Sequence, residues 1–242
     1  SFILTFIAGF STLIGTIIIF FIKKKTKKII VGSLSFACGV MITVSLTDLI
    51  PEAFNLIDNY FFNFPAIIIT LIFFSLGIII SMLIDHFFPN DINSEQLYRV
   101  GVISMLAIIF HNIPEGIATF MASNNNLELG VSLTIAIALH NIPEGICIAV
   151  PIYYATKSKI KAFNYTLVSA LSEPLGALMA YLFLKPFVND LIMGILYVII
   201  AGIMVHIATY ELLPTARKYK MNKTTIIFIL LGSLIMLVNH FI

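Results

Sequence analysis

Two six-residue stretches of the sequence are identical: His111-Asn112-Ile113-Pro114-Glu115-Gly116 and His140-Asn141-Ile142-Pro143-Glu144-Gly145. On a helix, with the histidine set at zero, the asparagine falls at about 100° and the glutamate at about 40°. The three ligand-type side chains of each stretch therefore share one face, with the carboxylate in the middle. A central carboxylate can bridge two cations, one on the imidazole side and one on the amide side. Imidazole with carboxylate suits zinc and its first-row neighbours; amide and carboxylate oxygens suit harder ions. Pro114 and Pro143 cannot donate, so they free the carbonyls of Phe110 and Leu139, one turn from the ligands. A third acid beside a proline, Glu173, sits in Ser172-Glu173-Pro174.

These groups lie in an unusual setting. The chain has 242 residues, of which 60% are hydrophobic and 11% charged. A soluble domain carries about 25% charged residues, so a water-facing surface cannot be built from so few. Long apolar runs instead predict membrane spans, and the length allows about eight of them. Apolar runs separated by charges and turn residues predict helices near 1–22, 29–54, 64–86, 98–122, 127–155, 161–184, 190–213 and 223–241. The fold expected is an all-α integral membrane protein, with residues 1–242 forming one transmembrane domain.

Glu115, Glu144 and Glu173 then fall near the middle of spans 4, 5 and 6. An acid at the bilayer centre costs roughly 2.5–3.5 kcal/mol on insertion scales. Three such acids must face one another, water or a cation. Broken backbone at membrane depth is tolerated where it lines a cavity.

Lysine and arginine orient the chain. With eight spans, all but one of the 14 basic residues fall in the loops 1–2, 3–4, 5–6 and 7–8 or beside them, Lys185 being the exception. Those loops are expected in the cytoplasm and both termini outside. The net charge of +2 gives no basic field for nucleic acid. Cys38 and Cys147 lie apart in apolar runs and form neither a disulfide framework nor a thiolate metal site.

Spans 4 and 5 run in opposite directions yet carry the same hexapeptide. Asp48-Leu49-Ile50-Pro51 in span 2 pairs likewise with Glu211-Leu212-Leu213-Pro214 in span 7, and Ser11-Thr12-Leu13-Ile14-Gly15 more weakly with Ser172-Glu173-Pro174-Leu175-Gly176. Related segments in antiparallel spans imply a pseudo-two-fold axis in the membrane plane. Spans 1–3 are expected to recur, inverted, as 6–8, a 3+2+3 arrangement typical of transporters.

Other residues have two readings. Met41 reads as a thioether ligand or as core, and Cys147 likewise. Asp85, His86 and His206 lie toward inner helix ends, where interfacial polar residues are ordinary; His240 reads as a surface residue. An intramembrane metal-dependent hydrolase is the alternative function, but His-Glu-x-x-His is missing and no general base is left free of the metal. A structural scaffold is a third reading.

The paired His-Asn-x-Pro-Glu-Gly motifs, followed by Ser-Glu-Pro-Leu-Gly, resemble the ZIP (Zrt-/Irt-like) metal-ion transporters, and within them the bacterial ZupT-like branch. The resemblance spans essentially the whole chain. It implies import of divalent metal, zinc first, across a cell membrane. It implies a first metal site of Met41, His111, Glu115, His140 and Glu144, and a second of Asn112, Glu115, Asn141, Glu144 and Glu173. Asp48 matches an entrance position; Asp85, His86, His206 and Glu211 lie where an exit is expected. Alternating access, with spans 1, 4, 5 and 6 sliding against 2, 3, 7 and 8, and a homodimer are also implied. No resident cofactor is expected, the metal being substrate. The loop Phe87–Leu97 departs from the many members that carry a long His-rich loop here.

Overall fold

The computed structural model describes residues 1–22, 26–87, 95–184, 187 and 189–240. Its elements are all helical. We label the long rods α1 (Phe2–Phe21), α2 (Lys27–Phe61), α3 (Phe64–Phe87), α4 (Glu95–Asn125), α5 (Leu127–Thr156), α6 (Lys159–Phe183), α7 (Asp190–Arg217) and α8 (Asn222–His240). Among the described residues, 7 helices are long and apolar enough to cross a membrane, and Asn222–Val238 is a shorter apolar helix. This is a multi-pass membrane protein.

The connections are short and capped. Asn126 separates α4 from α5, and its side-chain oxygen accepts from Glu128 N at 2.9 Å and Leu129 N at 3.3 Å, filling orphan donors of the new helix. Thr26, Ser158 and Asn189 cap α2, α6 and α7 in the same way. Most of the loop Phe87–Leu97, Lys23–Lys25, and the side chain of His240 lie outside the described residues.

One expected boundary is wrong in an informative way. The segment Asn55–Asn63 was expected to be a loop, but helix continues to Phe61. Only Phe62 and Asn63, both at positive φ, turn the chain. The extension is amphipathic: Ala53 and Ile57 are buried with Val198 of α7, while Glu52 and Asn55 line an open cavity. Polar residues that read as a loop are the wet face of a helix rising beyond the apolar layer. Likewise α7 reaches Arg217 rather than residue 213.

The helices pack as two groups. In one, α1, α4, α5 and α6 contact one another extensively; in the other, α2 packs along α8 and α7 along α3. Contacts between the groups are sparser, chiefly α2 with α5 and α4 with α7.

Both groups obey the same inverted pattern. In the first, α1 crosses α5 where a Cβ on Gly15 would lie 2.1 Å from Ile142 O and one on Gly145 would lie 1.8 Å from Thr12 O. Correspondingly, α6 crosses α4, with Gly176 against Ile113 O at 2.0 Å and Gly116 against Glu173 O at 1.9 Å. In the second, Gly39 and Gly232 seat α2 on α8 as Gly202 and Gly77 seat α7 on α3. Small residues let membrane helices approach to backbone contact.

The repeat also extends to backbone irregularity. In α2 the N–H of Ile50 donates to Ser45 O, five residues back, and in α7 that of Leu213 donates to Ala208 O. Each π-bulge immediately precedes a proline, Pro51 or Pro214, and brackets an acid, Asp48 or Glu211. A proline removes one donor, and the widened turn re-satisfies the backbone.

Candidate metal centre

The two hexapeptides face each other across the α4–α5 hairpin. Gly130, close against Ser123, brings these helices together near the turn, and the crossing glycines Gly116 and Gly145 clamp them against α6 and α1. His111, Asn112, Glu115, Asn141, Glu144 and Glu173 are all at most 5% exposed, and His140 is 7% exposed.

Glu115 is the hub. Its Oε1 lies 2.9 Å from His140 Nε2 and 3.0 Å from His111 Nε2. His111 Nε2 is also 3.5 Å from Glu144 Oε1. Its approach to Glu115 is not aligned for a hydrogen bond, so the imidazole is placed without being satisfied. Ligand atoms of His111, Glu115 and His140 lie within 4.8 Å of one another. A tetrahedral zinc with bonds of about 2.0–2.1 Å needs neighbours roughly 3.4 Å apart, so small side-chain movements would close the set on an ion.

A second group adjoins the first. Asn141 Nδ2 donates to Glu173 Oε2 and to the Ala8 carbonyl, each at 3.0 Å. Among the described residues, Asn141 Oδ1, both polar atoms of the Asn112 amide, Glu115 Oε2, Glu144 Oε2 and Glu173 Oε1 are buried without a hydrogen-bond partner. Buried polar atoms are normally satisfied, and an unmet carboxylate oxygen is especially costly. Five of these orphans are oxygens, the donor chemistry that a hard or borderline cation accepts.

Met41 is 1% exposed and belongs to the main apolar core, with Cys147 and Ile148 of α5 among its members. Cys147 contacts Ser104 Oγ at 3.7 Å.

The expected pathway residues sort to opposite ends. Asp48 lines a cavity of about 710 Å³, together with Glu52, Asn55, Asp190 and Ala118. Ala118 lies three residues from Glu115, so this cavity approaches the centre from the 4–5 and 6–7 loop end. At the other end, Arg99 Nη1 bonds both carboxylate oxygens of Glu211, at 3.0 and 3.2 Å, and Arg99 Nη2 pairs with Asp85. His206 Nδ1 is 2.9 Å from Ser81 Oγ, and its ring stacks on Tyr210. His86 is exposed at the end of α3.

Sequence reasoning did not single out Arg99, Glu52 or Asp190 as functional. Glu52 had a signal, since it follows the Asp48–Pro51 motif directly. Arg99 was read only as an orienting charge.

Residues 90–240 match the family model described as ZIP zinc transporter. A protein named zinc transporter ZupT from Campylobacter jejuni is 41% identical, covering 97% of this chain and 93% of its own. Those of Clostridium perfringens and Oceanobacillus iheyensis, with the same name, are each 41% identical and cover 99% of this chain and 94% and 96% of their own.

Proposed function

This chain belongs to the ZIP zinc transporter family, and on that premise we propose that it carries divalent metal, zinc first, into the cytoplasm through a binuclear centre between α4 and α5. The family is one of transporters rather than enzymes, which sets the hydrolase alternative aside. The observation that carries the reading is the cluster of His111, Glu115, His140 and Glu144 beside orphaned carboxylate and amide oxygens, all buried within helices long and apolar enough to cross a membrane.

The first ion takes the two imidazoles and both carboxylates, with Met41 as a soft fifth ligand. The second takes Asn112, Asn141 and Glu173, with Glu115 and Glu144 bridging. Glu115 is suited to bridge because one of its oxygens faces both histidines while the other is unmet. Binding displaces the proton shared between His140 Nε2 and Glu115, so metal and protons compete for the site. The ion enters through the cavity at Asp48 and leaves past His206, Asp85, His86 and Glu211. The basic loops face the cytoplasm and both termini lie outside, following the lysine and arginine distribution. Residues 1–242 act as one transporting unit, in a bilayer that covers the apolar outer faces of α3 and α8, and as a homodimer.

Transport follows from the arrangement of two helix groups around one site. Rocking of α1, α4, α5 and α6 against the others moves the centre from one opening to the other. The test is zinc uptake by proteoliposomes. The double variant His111→Ala with Glu144→Ala is expected to lose uptake; unchanged uptake would overturn the reading.

A further inference from the structure

Between the metal centre and the basic-loop end, the described part of α4 is packed into the core. Arg99 and His111 are both on α4, about 18 Å apart along its axis at 1.5 Å per residue. The intervening stretch is packed: Val100, Ile103, Ala107 and Ile108 are buried in the main core with Val44, Ile207 and Ile148. At the far end of that plug, Arg99 reaches inward, with only 13% of its side chain exposed.

Its partners come from the other helix group. Glu211, on the π-bulge of α7, takes both bonds from Nη1, and Asp85, near the end of α3, takes Nη2 through its carboxylate and more distantly, at 3.4 Å, through its backbone carbonyl. The ion pair thus crosses the seam between the two groups, where direct helix packing is sparse: α3 meets α4 only slightly. A planar guanidinium clamped by two carboxylates is a geometrically specific contact. Two carboxylates converging on one buried cation are also what a divalent ion would take.

We propose that Arg99 is the latch of the inward route: its guanidinium occupies the Asp85–Glu211 pair as a tethered cation, and a metal ion leaving in that direction must displace it. The latch rests on the transport reading for its direction, but not for its existence as a gate. With the pair formed, α4 is pinned to α3 and α7 and the cavity at Asp48 is the open side. When α4 moves with its group, the guanidinium withdraws, and the two carboxylates become a transient docking point for the departing ion. The electrostatics favour this order. A divalent ion balances both carboxylates, whereas one guanidinium leaves a net negative charge.

Ser81 reports on the latch without any metal. It lies one turn before Asp85, toward the membrane interior, and is 4% exposed. Place Ser81→Cys in the full chain, with Cys38 and Cys147 retained, and label inverted vesicles in metal-free buffer with a membrane-impermeant maleimide. The same proteins without Ser81→Cys supply the background from the native thiols. Adding Arg99→Gln is expected to raise the labelling rate about tenfold or more, the shift expected on losing a buried charge-assisted pair. Arg99→Lys, which keeps the cation, should label far more slowly than Arg99→Gln. Equal rates for Ser81→Cys with and without Arg99→Gln overturn the latch. Should Arg99→Gln not give a monodisperse protein, Glu211→Gln loosens the same pair and must accelerate labelling; no acceleration there overturns it equally. Zinc uptake by the His111→Ala, Glu144→Ala variant is scored separately, so failure of the latch and failure of the transport reading are distinguishable.

Discussion

Glu115 on α4 and His140 on α5 meet at 2.9 Å between Oε1 and Nε2, joining the two copies of the hexapeptide directly. The same oxygen lies 3.0 Å from His111. One carboxylate therefore organises both imidazoles, and its second oxygen is buried with no partner. Glu115→Gln keeps the volume and removes the charge. It is expected to weaken zinc binding by about tenfold or more, as loss of a charged ligand does. Isothermal titration of purified protein in detergent checks this, and a loss no larger than that of a surface substitution contradicts it.

Proton competition gives a pH dependence with a definite sign. Imidazoles bind metal only when neutral, and carboxylates when ionised, so protons added to the cluster weaken its hold on the ion. Uptake measured at fixed free zinc should fall as pH drops through the histidine range and recover on return. A flat profile would mean that the histidines are not ligands.

The glycine crossings are steric. A Cβ on Gly145 would sit 1.8 Å from the Thr12 carbonyl oxygen, and one on Gly116 1.9 Å from that of Glu173. Backbone cannot yield cheaply at such distances. Gly145→Ala and Gly116→Ala should each destabilise the folded protein by about 1–3 kcal/mol, the range of overpacking. Thermal unfolding in detergent is the measurement, and melting within error of the parent protein would show that the helices can part.

Met41 separates a ligand from a packing role. Met41→Leu is close to volume-conserving and should cost under about 1.5 kcal/mol in stability. As a thioether ligand, Met41 should matter more to soft ions, so the substitution is expected to weaken cadmium binding more than manganese binding. Equal effects on the two ions would return Met41 to the core alone.

Asp48, Glu52 and Asp190 line the cavity mouth. Asp48→Asn with Glu52→Gln should slow uptake at low ionic strength, and the difference should shrink as salt screens the field. A salt-independent loss would place these residues in the site rather than the approach.

Much of this was legible because membrane burial exposes exceptions. A glutamate in an apolar run is conspicuous, and two His-Asn-Ile-Pro-Glu-Gly copies in consecutive helices specify a shared face by geometry alone. The inverted repeat could be read from Asp48–Pro51 and Glu211–Pro214, and the structure adds a matching π-bulge to each. Arg99 was not legible as a gate. Its charge stands beside a loop, and only tertiary packing turns it toward Asp85 and Glu211. The helical turns after Asn55 were missed for a related reason: a wet helix face and a loop have similar composition. Asn141 was singled out in the sequence, but its bond to the Ala8 carbonyl was not, since a backbone partner leaves no trace in residue identity.

The most direct test of the central claim is anomalous diffraction from crystals grown with zinc. Two anomalous peaks between α4 and α5 are expected, one within bonding distance of His111 and His140, the other near Asn112, Asn141 and Glu173, with Glu115 and Glu144 reaching both. Well-ordered crystals with no anomalous density among these residues at saturating zinc would contradict it.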